Sequence, residues 1–336
     1  MKEQYLNALE KEIKNSYKDE ALKTLYFGGG TPSLLSPYEF QKLIKLFNTD
    51  NKTEITAELN PETITQNYLS ELKSVGINRL SFGCQTFDDN ILKIIGRRHG
   101  SKDVENAVKS AKNAGFENIS LDFIYGLPEQ TRNMFKEDLQ RAVSLDIKHI
   151  SLYGLKIDDD CFFGKNPPKN LPDEDTQADM YLDAIKILKE NGFEHYEISN
   201  FSKKGFASRH NLNYWDNNSY YGFGVGAHGY ENGTRYFNTS DLSEYIQNPT
   251  HHKHSQLLTE QEKLEEEIFL GFRKMSGIDV HKINKNFGIN FDKKYQNILD
   301  KYVPLKFLLK TEKGYKLSDK GILVSNVILS EFLSEV

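Results

Sequence analysis

The chain has 336 residues, a formal net charge of −5 and two cysteines. That length suits one large domain, alone or with a small companion, and the acidic balance excludes a general nucleic-acid binder. No apolar run is long enough to span a membrane, no signal peptide precedes the first helical pattern, and Cys84 and Cys161 make no disulfide framework, so a reducing cytoplasm is expected.

Tyr5, Leu6, Leu9 and Ile13 recur at helical spacing, so the chain opens with an amphipathic helix. Strand-like apolar runs then fall at 24–27, 54–59, 79–82, 119–124 and 149–153. Helical patterns at 37–47, 64–75, 88–95, 102–114 and 132–145 lie between them, and another covers 176–191. Glycine stops at Gly76, Gly115 and Gly192 close three of these helices. The alternation is that of a parallel α/β barrel or doubly wound sheet. From about residue 200 glycine, asparagine, tyrosine and histidine crowd the chain as far as 238, a pattern of loops and short strands. A charged amphipathic helix is expected over 256–275, a hairpin over 307–317 turning at Lys313-Gly314, and a final helix over 319–333. The chain is expected to divide into an α/β part at 1–200, a loop-rich segment at 201–255 and a helical domain with a wing at 256–336.

The first strand stops at Gly28-Gly29-Gly30-Thr31-Pro32-Ser33. Three glycines clear side chains from the strand's C-terminal end, where parallel α/β proteins bind ligands. A tight turn with no ligand explains the same triplet. Later strand ends add Glu58, Gln85 and Asp122, and Arg97 follows the next helix. Singly, Glu58 reads equally as a helix-start acid and Arg97 as a solvated surface charge. Together they suit a zwitterionic ligand with hydroxyls: carboxylates for an ammonium or a ribose diol, arginine for a carboxylate, bare backbone for close approach.

Five segments in order carry a resemblance: Tyr26-Phe27-Gly28-Gly29-Gly30-Thr31-Pro32-Ser33, Ala57-Glu58-Leu59-Asn60-Pro61, Ser81-Phe82-Gly83-Cys84-Gln85-Thr86-Phe87, Gly96-Arg97-Arg98-His99-Gly100 and Leu121-Asp122-Phe123-Ile124-Tyr125-Gly126-Leu127-Pro128. This series resembles the radical S-adenosylmethionine family, in the branch that holds oxygen-independent coproporphyrinogen III oxidase and heme chaperones. The resemblance covers essentially the whole chain. It implies an α/β fold: a partial (β/α)6 barrel lacking its first strand, with a small winged-helix-like C-terminal domain. It also implies that Gly29, Gly30, Thr31, Glu58, Gln85, Arg97 and Asp122 contact S-adenosylmethionine. Cys84, where the branch more often has a small apolar residue, reads as core packing.

The family's [4Fe–4S] cluster is held by three cysteines in a loop after the first barrel strand, and this chain has only two cysteines, far apart. No metal ligands are therefore expected in this chain, and the cluster is expected only in a full-length parent. Because the rim residues are intact, loss of an N-terminal strand and cluster loop is expected over a natural cluster-less form.

His210-Asn211-Leu212-Asn213-Tyr214-Trp215 resembles the signature of the heme-chaperone members, and Tyr221–Gly229 the glycine-rich loop common to both branches. Imidazole is a good axial ligand for heme iron, and neighbouring aromatic rings can stack on a porphyrin. The resemblance makes His210 the heme-ligand candidate and leaves the role of His228 open. It further implies heme as cargo and hemoprotein acceptors such as membrane-bound respiratory enzymes. Nucleic acid is not expected as a partner, because the C-terminal domain has no clear basic face; a homodimer stays open. Decarboxylation of porphyrinogen propionates, the oxidase chemistry, needs the absent cluster. A plain barrel aldolase or isomerase using Glu58 and Asp122 as acid and base is the unrelated alternative, but neither a Schiff-base lysine nor a metal triad is evident.

Overall fold

The computed structural model describes residues 1–333. They form two compact units. One holds residues 24–41 and 53–207; the other holds 1–23, 42–52 and the chain from 208 onward.

The first unit is built on β1 (Thr24–Phe27), β2 (Glu54–Leu59), β3 (Arg79–Gln85), β4 (Asn118–Tyr125), β5 (His149–Gly154), β6 (Glu194–Glu197) and β7 (Asn200–Ser202). They make one sheet in the order β1-β2-β3-β4-β5-β7-β6, a curled half-barrel of the expected α/β class. The first five strands are parallel; β7 then runs antiparallel to β5, and β6 antiparallel to β7. Helices start on side-chain caps that satisfy their first free N–H groups: Thr65, Asp88, Thr131 and Asp173 each accept a backbone hydrogen bond.

The sheet's two faces differ because side chains alternate along each strand. Ile55, Ala57 and Leu59 of β2, Leu80, Phe82 and Cys84 of β3, Ile119, Leu121 and Phe123 of β4, and Ile150 and Leu152 of β5 make an apolar, buried face. Helix 101–113 packs on β3 and helix 174–190 on β4. The other face is polar: Thr56 and Glu58, Arg79 and Ser81, Asn118, Ser120 and Asp122, then His149, Ser151 and Tyr153.

In the second unit helix 2–16 joins the rest through Glu12, a buried side chain that accepts hydrogen bonds from Gly224 N (2.8 Å), Asn238 Nδ2 (2.6 Å) and Tyr245 OH (2.6 Å). Helix 209–215 starts on a Ser208 cap. Strands β8 (His228–Glu231), β9 (Thr234–Asn238) and β10 (His252–Leu257) form an antiparallel sheet, and Asn232 and Gly233 turn between β8 and β9 with φ of 49° and 78°. The helix expected at 256–275 occupies 260–271 behind a Thr259 capping box, since Gln256 and Leu257 belong to β10. Strands β11 (Ile278–Asp279), β12 (Leu308–Lys310) and β13 (Gly314–Leu317) form the small wing, with β13 between its partners. The final helix is two, 319–323 and 325–330, because Val324 leaves helical geometry at φ −119°, ψ 23°.

Candidate functional site

A cavity of about 260 Å³ opens at the C-terminal ends of β1–β5. Gly29, Gly30, Thr31, Glu58, Gln85, Arg97 and Asp122, the seven rim residues singled out in the sequence, all line it. Each arrives by a local cause. A Cβ built on Gly29 or Gly30 would have no atom within 4 Å, so backbone there faces open space. Gly29 sits at φ +89°, a conformation that costs glycine nothing. Thr31 precedes a short 3₁₀ turn that Pro32 starts. Gln85 follows a bulge in the β3–β4 pairing and takes φ +67°, which re-aims its side chain into the cavity. Arg97 is exposed at the rim, its backbone N–H closing the turn onto Leu92 O.

The carboxylates are held from below. Tyr26 OH donates to Glu58 Oε1 (2.5 Å) and Gly29 N donates to Oε2 (3.2 Å). Ser81 Oγ donates to both oxygens of Asp122 (3.1 and 3.0 Å), and Ser151 adds a further hydrogen bond. Ser120 Oγ lies 3.3 Å from Asp122 Oδ1 and 2.8 Å from His149 Nδ1, whose Nε2 is 2.8 Å from Tyr196 OH. Burial pushes the Glu58 and Asp122 carboxyls above the usual range; their hydrogen bonds and the Arg79 guanidinium oppose that rise. Burial also pushes the Tyr26 and Tyr153 hydroxyls up and His149 well down, so His149 is neutral. The arrangement offers carboxylates to a cation or diol, and an arginine and bare amides to an anion.

The residues beneath the rim escape a reading of strand ends. Tyr26, Arg79, Ser81, Ser120, His149 and Ser151 sit inside strands. Their signal is the polar residue at every second position of β3, β4 and β5.

The Radical SAM superfamily model matches residues 2–142 and the HemN C-terminal domain model residues 258–324. Heme chaperone HemW of Lactococcus lactis is 38% identical over 98% of this chain and 89% of its own length. Heme chaperone HemW of Bacillus subtilis is 37% identical over 99% and 92%. The chain belongs to the HemW family. The solved coproporphyrinogen III oxidase HemN of Escherichia coli superposes with a TM-score of 0.87 over 99% of this chain and 83% of its own, at 23% identity, which shows a shared fold.

The HemW-type segment at 210–215 forms helix 209–215 in the second unit. His210 Nε2 lies 3.0 Å from Tyr214 OH, and the two rings meet edge-on at 5.0 Å. Tyr214 in turn meets Tyr220 edge-on at 4.5 Å, and burial pushes its hydroxyl up to about 12. One face of Trp215 is taken by the Arg273 guanidinium, 4.4 Å from the ring centre. His228 is exposed and stacks obliquely on Phe237.

An iron–sulfur cluster does not fit these residues. Among the described residues no three His, Cys, Asp or Glu side chains are placed to hold a metal. Cys84 is fully buried on the apolar face of β3, and Cys161 caps the short helix 162–165 with its Sγ accepting from Gly164 N.

Proposed function

We propose that this chain is a heme chaperone: it holds heme at the His210 segment, binds S-adenosylmethionine in the barrel cavity and hands heme to hemoprotein acceptors, respiratory enzymes of the membrane among them. The observation that carries the reading is near-full-length identity of 37–38% to two proteins named heme chaperones, together with an intact His210–Trp215 segment. S-adenosylmethionine supplies a sulfonium, an ammonium, a carboxylate and a ribose diol. Glu58 and Asp122 suit the cation and diol, Arg97 the carboxylate, and Gly29 and Gly30 let the ligand meet backbone. Tyr26, Gly29 and Ser81 fix those carboxylates before any ligand arrives, which lowers the cost of ordering them. In the His210 segment, the imidazole would hold the heme iron, and if it did so through Nε2 the Tyr214 hydroxyl would have to release that nitrogen.

A heme titration followed in the Soret band, beside His210→Ala, tests the reading. A saturable shift that His210→Ala weakens about tenfold or more supports it. Unchanged binding in the variant moves the ligand elsewhere, and no binding by a folded chain removes the proposal. For the cavity, calorimetry is expected to show S-adenosylmethionine binding weaker than low micromolar in the absence of iron, because its amino and carboxylate groups then meet only Glu58, Asp122 and Arg97.

A further inference from the structure

Arg79 lies on the polar face of β3, in register with Thr56 of β2 and Asn118 of β4, two residues before the Ser81 that holds Asp122. The residue is 2% exposed, its Nε makes no hydrogen bond, and it enters no ion pair among the described residues. A guanidinium buried without a direct counter-ion is costly and needs compensation from somewhere. The strands around it supply titratable groups within reach of its field: Tyr26 from β1, Glu58 from β2, Asp122 from β4 and His149 from β5, while Glu54, also buried on this face of β2, has a contact of its own. Tyr153, above them, feels the same two carboxylates and Glu197 of β6 as well. His149 is neutral and the tyrosines keep their protons, so of the groups in its field the two carboxyls that Arg79 favours in their charged form are Glu58 and Asp122, both lining the cavity.

We propose that Arg79 is a positioning residue for the cavity: a buried counter-ion acting through space that keeps the floor doubly anionic and so selects a cationic group above it. The inference rests on the reading of the cavity as a site for S-adenosylmethionine, whose sulfonium and ammonium are such cations. It assigns the guanidinium no contact with the ligand. Its effect is on the protonation of Glu58 and Asp122, and through that on affinity.

The test is S-adenosylmethionine calorimetry across neutral and alkaline pH on the full chain, with Arg79→Gln and Arg79→Lys. Without the guanidinium the two carboxyls keep their protons to higher pH. Arg79→Gln is then expected to bind about tenfold more weakly near pH 6.5 and to recover to within about twofold near pH 9, while Arg79→Lys follows the wild type near neutrality. A profile for Arg79→Gln parallel to wild type, whether equally tight or uniformly weaker, overturns the proposal. Urea unfolding of the ligand-free chain gives a second reading. Carboxyls whose folded-state pKa is raised stabilise the fold at low pH and lose that contribution as pH rises. Stability of Arg79→Gln should therefore fall more steeply than wild type between about pH 5 and 8, and equal slopes overturn the proposal. Wild type that never binds S-adenosylmethionine removes the ligand assignment, and the unfolding slopes then decide the role of Arg79 alone. Should Arg79→Gln not fold, adding Glu58→Gln and Asp122→Asn is expected to restore folding, and failure of that rescue also counts against the proposal.

Discussion

A Cβ on Gly28 would stand 2.6 Å from Tyr26 Cε1 and 3.1 Å from the Glu58 carboxyl carbon. The first glycine of the triplet therefore serves the contact beneath the cavity, whereas Gly29 and Gly30 serve the cavity itself. Gly28→Ala is expected to push Tyr26 off Glu58 and destabilise the fold by about 1–3 kcal/mol, visible as a lower melting temperature and weaker S-adenosylmethionine binding. An unchanged melting temperature would show that Tyr26 moves aside freely. Asp138 gives a residue-scale prediction in pH. It accepts from Thr86 Oγ1 and Phe87 N at 2.7 Å each, and burial raises its pKa to about 6. The fold thus holds a proton that the unfolded chain has already released, so this group's contribution is present below about pH 4 and is lost as pH rises through about 6. Urea unfolding at several pH values should show a steeper decline over that window in wild type than in Asp138→Asn; parallel curves would mean the carboxyl titrates normally.

Among the elements, helix 260–271 depends visibly on its first turn. Thr259 and Glu262 exchange side-chain and backbone hydrogen bonds there, with Glu262 accepting from Thr259 N at 2.7 Å. Thr259→Ala should cost about 1 kcal/mol in chemical unfolding, and a change below the error of the measurement would assign the helix start to packing instead. The sequence made the five parallel strands, their helices and the wing legible because each has a strong period and a glycine or cap at its end. It hid what depends on partners distant in sequence. β7 and β6 are too short to show a period; β7 exists through pairing with β5, and β6 through pairing with β7. The turn at Asn232-Gly233 carried a hairpin signal, Asn-Gly between strand-like residues, inside a stretch whose composition indicates loops and short strands without fixing their bounds. At the cavity, Gly29, Gly30, Thr31, Glu58, Gln85 and Asp122 were legible because a strand end marks its own position, and Arg97, beyond the next helix, because of the Gly96–Gly100 motif around it. Arg79, Ser81 and His149 were not, since their role appears only when three strands stand side by side.

Across the molecule, the unit that carries His210 also contains the first helix of the chain. Glu12 is the point of attachment, and Glu12→Ala would leave the Gly224 amide and the Tyr245 hydroxyl buried without an acceptor and Asn238 Nδ2 with Gly224 O alone. A loss of about 3–5 kcal/mol in chemical unfolding is expected, with loosening of residues 222–229 in hydrogen exchange. Wild-type protection of the Gly224 amide in that variant would show that another acceptor replaces the carboxylate. The same attachment has a consequence for synthesis. A ribosome releases residues in order, so every residue of the 24–207 unit has been made before Ser208 is added. That sheet can complete its pairing during translation, as domains made early generally do. The helix made first has to wait, its buried-side carboxylate in water, until the loop at 224 and the helix that carries Tyr245 emerge. A chain arrested once residue 207 has cleared the ribosome is therefore expected to hold a finished sheet behind an undocked leading helix, a cleavable handle that distinguishes an arrested product from a complete one.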